Sequence, residues 1–241
     1  MYPFQTNSID IPSPDWLQFN NSLVDSEINI FRLFVSNHLH QLALYKSLLN
    51  SQELFRASKF FKCEDRERFI ISRAVLKKLL GLCTNLAPQT IVIVSDKNEK
   101  PILKDCSHIH FNISHSKNCI TFAISNKSVG IDVEYLNENF NYRSIIEACF
   151  TVSEIYFIKE SPKPVRDFFK LWTRKEAFLK AIGKGLNDDM NKLNCLSSFP
   201  ANEIEVSDYN NYTIRSFGIE KEYIASIAYQ CEEKQLLFYE I

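Results

Sequence analysis

His110-Phe111-Asn112-Ile113-Ser114, Ile120-Thr121-Phe122-Ala123-Ile124-Ser125 and Val129-Gly130-Ile131-Asp132-Val133-Glu134 follow one another closely along the chain. Each run is short and rich in β-branched and aromatic residues. The joins are polar, the clearest being Asn126-Lys127-Ser128. Runs at this spacing read as neighbouring strands of an antiparallel meander, because such joins are too short for a parallel crossover. Upstream, residues 64–82 carry Phe69, Ile70, Val75, Leu76, Leu79 and Leu80 near helical period, and Gly81 marks a place for that helix to stop. Before it, Ile28 to Val35 reads as a first strand, with residues 38–50 and 51–63 helical. Ile91 to Val94 is a short strand, followed by a polar turn from Asp96 to Pro101.

Downstream, residues 143–149 and 152–160 read as short helices, and 161–167 as a loop holding Pro162 and Pro164. A long helix runs from about Arg166 to Ile182 and ends at Gly183-Lys184-Gly185. Ile204 to Val206, Tyr212 to Phe217, Tyr223 to Tyr229 and Leu236 to Tyr239 are strand-like. Helix followed by meander thus occurs twice. The expected fold is α+β, with two pseudo-symmetric lobes side by side, each an antiparallel sheet packed with a long helix. The expected division is 1–126 (with 1–25 an irregular arm) and 127–241.

The 241 residues are 45% hydrophobic and 13% aromatic, enough for a substantial core. Net charge is −1, so the chain lacks the basic surplus of a nucleic-acid binder. Residues 51–80 are locally basic, with Arg56, Lys59, Lys62, Arg66, Arg68, Arg73, Lys77 and Lys78. The seven cysteines are scattered and form no Cys-x-x-Cys pair, which fits a reducing compartment. The start, Met1-Tyr2-Pro3-Phe4-Gln5, has no signal-peptide pattern, and no apolar run reaches membrane length. A cytoplasmic monomer, without membrane or nucleic-acid partners, is expected.

On a strand, residues two apart share a face, so Asp132 and Glu134 project together while Ile131 and Val133 turn to the core. Adjacent carboxylates are costly unless a cation sits between them, and oxygen ligands of this kind suit Mg²⁺. Taken alone, the pair also fits an ordinary strand with outward acids. On the long helix, Phe168, Leu171, Trp172, Phe178, Leu179 and Ile182 form an apolar stripe. Glu176 and Lys180 are i,i+4 neighbours along its edge, and Lys175 falls inside it, where it must snorkel or meet an anion. Ser114, His115 and Lys117 form a polar cluster suited to gripping phosphate. No Gly-x-Ser-x-Gly, Walker loop or Gly-x-Gly-x-x-Gly occurs.

Together, Val129-Gly130-Ile131-Asp132-Val133-Glu134 and Trp172-Thr173-x-Lys175-Glu176-Ala177-x-x-Lys180-Ala181-x-Gly183-x-Gly185-Leu186 resemble the motifs of the 4′-phosphopantetheinyl transferases. Phe111-Asn112-Ile113-Ser114-His115-Ser116 is similar to the strand motif that precedes them, and Lys100-Pro101-Ile102-Leu103 to a Gly-Lys-Pro segment. Arg56-Ala57-x-x-Phe60, Arg68 and Ser72-Arg73 resemble the N-terminal helical region, and the length resembles the Sfp-type subfamily.

The resemblance implies Mg²⁺-dependent transfer, with Mn²⁺ a possible substitute. The 4′-phosphopantetheine of coenzyme A passes to a serine of an apo acyl carrier protein or peptidyl carrier domain. Asp132, Glu134 and Glu176 would surround the metal. Glu176 would act as base, directly or through water, and Lys180 would neutralise the pyrophosphate. Ser114 and His115 would hold phosphates, Lys100 would lie near the adenine or ribose, and Arg56, Arg68 and Arg73 would meet the 3′-phosphate. Asn112 and Lys175 are counted with the coenzyme-binding residues. Carrier choice is expected from the loop at 137–167, with Phe140 and Tyr142 as exposed contacts. Two departures stand out: Glu99 replaces the glycine before Lys100-Pro101, and Phe69 stands where some relatives carry a polar residue.

Overall fold

The computed structural model describes residues 13–24, 27–184, 190–196, 201–202, 212–230 and 235–241. Its elements begin with β1 (Leu17–Gln18), β2 (Ile28–Phe34), α1 (Leu42–Ser47), α2 (Ser51–Ser58), α3 (Cys63–Thr84), β3 (Ile93–Ser95) and β4 (Pro101–Leu103). There follow β5 (His110–Ser116), β6 (Cys119–Ser125), β7 (Val129–Tyr135), α4 (Ile146–Cys149), α5 (Val152–Glu160) and α6 (Pro164–Ile182). The last are β8 (Leu193–Asn194), β9 (Ala201–Asn202), β10 (Tyr212–Ile219), β11 (Tyr223–Gln230) and β12 (Leu236–Glu240). The strand expected at 204–206 lies outside the described residues.

The fold is α+β, built in four layers. One sheet has the order β1-β12-β2-β6-β5 and the other β10-β11-β7. Strand alternation sets the layering. On β2, Phe31 and Leu33 pack with Ile70, Ala74 and Leu79 of α3, whereas Ile28 and Ile30 pack with Ile131, Val133 and Ile227 of the second sheet. On the far side of that sheet, Ala177, Phe178 and Ala181 of α6 pack on Ile214 and Ala228. The order is therefore α3, first sheet, second sheet, α6, with one long helix outside each sheet. No helix of the described residues is long and apolar enough to cross a membrane.

Several expectations are revised. β5 and β6 form the expected antiparallel hairpin, but β7 leaves it and pairs with β11. β12, from the end of the chain, lies in the first sheet, parallel to both β2 and β1, so that sheet is mixed rather than antiparallel. The described part of the arm packs on the first sheet: Trp16 lies edge-on to Phe238, and Arg32 stands 4.6 Å over its ring. α3 runs past Gly81 to Thr84, and Asn85, left-handed at φ 55°, closes it by donating to the Gly81 carbonyl. α6 starts at Pro164, whose missing N–H suits the first turn of a helix.

Gly130 decides how α6 sits. A Cβ there would stand 2.1 Å from the Ala177 carbonyl oxygen and 2.4 Å from the Ala181 nitrogen. The helix backbone thus lies directly on β7, on the face that Asp132 and Glu134 share with Gly130.

Candidate active site

β5 and β7 are facing edges of the two sheets, and no backbone ladder joins them. Side chains of β5 do so instead. Asn112 Oδ1 accepts from the Ile131 N–H at 2.9 Å, Ser114 Oγ from the Val133 N–H at 3.4 Å, and Ser116 Oγ from the Tyr135 N–H at 3.0 Å. The hydroxyls donate onward: Ser114 to Asp132 Oδ1 at 2.7 Å, and Ser116 to Glu134 Oε2 at 2.9 Å.

A cleft of about 470 Å³ opens beside this seam. Ser114, His115, Asp132, Glu134, Glu176 and Lys180 line one side, and Arg56, Phe69, Ser72 and Arg73 the other. Lys180 Nζ lies 2.6 Å from Asp132 Oδ1 and 3.2 Å from Ser114 Oγ, so it pairs with the strand rather than with its helix neighbour Glu176. Among the described residues, Asp132 Oδ2 and Glu176 Oε1 are buried with no hydrogen-bond partner. Burial, and then the charge of Asp132, pushes both Glu134 and Glu176 up to about 7. The Ser116 hydrogen bond opposes this at Glu134, and Lys180 opposes it at both.

These three carboxylates face one ammonium. Their chemistry fits a hard divalent cation, which would supply partners for the two orphaned oxygens. They are not drawn into a cage: among the described residues no three Asp, Glu, His or Cys side chains stand gathered as metal ligands. Asp132 is held by Lys180 and Ser114, and Glu134 by Ser116.

His115 is exposed at the cleft wall. Loss of water on the cleft side, then the charge of Arg68, holds its imidazole below the ordinary value. Arg56 and Arg73 line the cleft. Arg68 is engaged outside it, with Asp65 and with the Lys117 carbonyl at 3.3 Å. Lys100 and Asn112 line an adjoining pocket of about 240 Å³, with Pro101, Ile113 and Lys180 shared between the two cavities. Lys100 Nζ donates to the Ala181 carbonyl at 2.9 Å, at the C-terminus of α6, and burial lowers it to about 8.

Lys175 is turned away from the cleft. Its ammonium pairs with Glu154 at 2.7 Å and donates to the Met190 carbonyl at 2.7 Å and to the Leu193 carbonyl, both side chains being wholly buried. The stripe position that made this lysine unwelcome carries it into the core, and Glu154 is the anion it meets. Tyr142 is not an exposed contact: it is buried against Phe168, with ring centroids 5.4 Å apart. Phe140 is partly exposed, and Val152 and Tyr156 on α5 are far more so, at 85% and 69%.

Ser116 and Glu154 went unassigned in the sequence. The alternation Asn112-x-Ser114-x-Ser116 signals the first. The capping box Thr151-x-x-Glu154, present in the structure, signals a helix start but not the second role of Glu154.

Residues 128–235 match the model of the 4′-phosphopantetheinyl transferase superfamily, and residues 36–127 match that of a 4′-phosphopantetheinyl transferase N-terminal region. The 4′-phosphopantetheinyl transferase HetI of Nostoc sp. is 33% identical over 173 residues, covering 69% of this chain and 73% of that protein. The 4′-phosphopantetheinyl transferase gsp of Aneurinibacillus migulanus is 35% identical over 130 residues, 53% of each chain. The 4′-phosphopantetheinyl transferase Sfp of Bacillus subtilis is 26% identical over 145 residues, 59% of this chain and 64% of its own.

Proposed function

The chain belongs to the 4′-phosphopantetheinyl transferase superfamily, and on that premise we propose that Asp132, Glu134 and Glu176 hold Mg²⁺ in the cleft during transfer of 4′-phosphopantetheine from coenzyme A to a carrier protein. It is a transferase, with coenzyme A as co-substrate and a carrier protein as acceptor. The observation that carries the residue roles is the pair of buried, unpartnered carboxylate oxygens, Asp132 Oδ2 and Glu176 Oε1, in one cleft with Lys180. When bound, the metal neutralises pyrophosphate oxygens and the charge that develops on them.

The remaining steps use the chain's own groups. The carrier's serine oxygen forms a bond to the β-phosphorus. The bond from that phosphorus to the bridging oxygen breaks, and its electron pair leaves with adenosine 3′,5′-bisphosphate. Glu176 takes the serine proton, directly or through a water. Lys180, within reach of both Asp132 and the cleft, neutralises the departing phosphate. His115, its imidazole held below the ordinary value by loss of water and then by Arg68, offers an N–H to a phosphate oxygen. The nucleotide end of the coenzyme extends past Pro101 and Lys100, and its 3′-phosphate meets Arg56 and Arg73. Phe140, with Val152 and Tyr156 of α5, offers the apolar contacts for the carrier.

Mass spectrometry of apo acyl and peptidyl carriers, incubated with the protein, coenzyme A and Mg²⁺, tests the activity. The expected result is a phosphopantetheine mass on at least one carrier, and none on any carrier defeats the reading. Asp132→Ala and Glu176→Gln should fold yet lose turnover. Near-normal rates in either would remove its assigned role.

A further inference from the structure

Two guanidinium groups share one aromatic ring on the helical wall of the cleft. Cζ of Arg56 lies over the Phe69 ring at 5.3 Å from the centroid, and Cζ of Arg73 lies over the same ring at 5.7 Å. All three side chains line the cleft that Asp132, Glu176 and Lys180 enter from the other wall. Arg56 comes from the last turn of α2, whereas Phe69 and Arg73 are i,i+4 neighbours on α3.

The arrangement leaves positive charge facing the cavity. Glu53 approaches Arg73 Nε at 3.7 Å, but its other oxygen holds Lys77 at 3.1 Å, so one carboxylate serves two cations. Desolvation lowers the Arg73 pKa, Glu53 raises it, and the like charge of Arg56 lowers it again. An anion beside both guanidiniums would offset the cost of desolvation and the repulsion.

We propose that Phe69 is a positioning residue whose ring holds Arg56 and Arg73 as a clamp for a phosphate monoester, and so sets a preference for a coenzyme bearing a ribose 3′-phosphate. The inference rests on the coenzyme A reading above. Coenzyme A carries two kinds of phosphate. Its pyrophosphate must lie by Asp132 and Lys180, where the bond breaks. Its monoester, the group nearest to a full dianion, is left for the other wall, and two guanidiniums match that charge and its three oxygens. Arg56 is exposed and, without the ring, would be ordered only on binding. Stacking on Phe69 restricts it beforehand and lowers that cost. Arg68 takes no part in the clamp, being engaged with Asp65 and the Lys117 carbonyl.

The test is calorimetric titration of the whole protein, with Mg²⁺ and no carrier, using coenzyme A and 3′-dephospho-coenzyme A. Phe69→Leu removes the ring face, Phe69→Met does so with a more adaptable side chain, and Phe69→Tyr keeps it. Wild type should prefer coenzyme A. The leucine and methionine variants should lose about fivefold in affinity for coenzyme A and nothing for the dephospho form, and tyrosine should retain the preference. In a transfer assay the loss should fall on KM and leave kcat in place. An undiminished preference in the ring-free variants, or equal loss for both coenzymes, overturns the clamp. Wild type that binds both coenzymes equally does so too, while leaving the transferase reading intact. Wild type that binds no coenzyme A overturns that reading instead.

Discussion

Replacing Gly130 with alanine adds one methyl group where α6 rests on β7. Its carbon would lie 2.1 Å from the Ala177 oxygen, 2.4 Å from the Ala181 nitrogen and 3.0 Å from the Ala181 Cα. All three are backbone atoms of α6, so no rotamer change makes room. Restoring an ordinary contact of 3.4 Å requires the helix to retreat by about 1.3 Å. That retreat loosens Ala177, Phe178 and Ala181 from Ile214 and Ala228. Overpacking a core costs about 1–3 kcal/mol, and backbone-on-backbone contact places this case at the top, about 3 kcal/mol. Function should suffer separately. Glu176 and Lys180 immediately precede the two clashing residues, and a displacement of about 1 Å at a reacting centre can cost about 100-fold in rate. Urea denaturation should show the loss of stability. Single-turnover transfer from saturating coenzyme A, measured where the variant is still folded, should show the loss of rate. A variant within about 0.5 kcal/mol of wild type and with a near-normal rate would mean that α6 does not seat on β7 as described.

Glu99 is left-handed, at φ 63°, in a turn already fixed by Asp96 accepting from the Asn98 and Lys100 N–H groups. Glu99→Gly should therefore stabilise the fold by about 0.5–1 kcal/mol, the relief of left-handed strain less the added entropy of the unfolded chain; a less stable glycine variant in urea refutes this. Lys175→Met strands the buried Glu154 carboxylate and should cost about 3–5 kcal/mol, most of it recovered on adding Glu154→Leu. A loss under about 1 kcal/mol for the single variant would show that the pair behaves like a surface one. Burial lowers the Lys100 ammonium to about 8 in the folded chain, from 10.5 for an ordinary lysine. Between those values the unfolded chain binds more protons than the folded one, so the lysine's contribution to stability rises with pH across that window. Wild type should gain on Lys100→Met from pH 8 upward in thermal melts, and a constant difference would contradict the assigned burial.

Short β-branched and aromatic runs between polar joins made β5, β6 and β7 legible, although the layers on either side bury β6 and most of β7 on both faces. Their partners were not legible. The pattern of Leu236 to Glu240 fits an interior strand of either sheet, and only packing assigns it between β1 and β2. The acids of β7 and the Glu176–Lys180 edge of α6 were found from spacing and resemblance, and the structure brings all four to one cleft. Lys175 shows how far a helical stripe can be read. Its position called for an anion, but nothing local named one, since Glu154 lies on a different helix. Tyr142 failed for a related reason: an aromatic residue in a polar loop looks exposed until Phe168 covers it.

The joint between the sheets and the candidate site are one structure. A backbone N–H on the free edge of β7 needs an acceptor. Ser114 and Ser116 provide it at Val133 and Tyr135, and Asn112 at Ile131. A hydroxyl that accepts in this way still has a proton to donate, and in both serines it goes to the carboxylate one residue earlier on β7, Asp132 or Glu134. At the third rung the preceding residue is Gly130, and its acceptor is the amide oxygen of Asn112 rather than a hydroxyl. Hydroxyls therefore occur where an acid must be aimed, and the amide where α6 needs room. Fixing Asp132 through Oδ1 leaves Oδ2 as the unpartnered atom. The seam thus closes the two sheets and sets which carboxylate oxygen is left for a ligand.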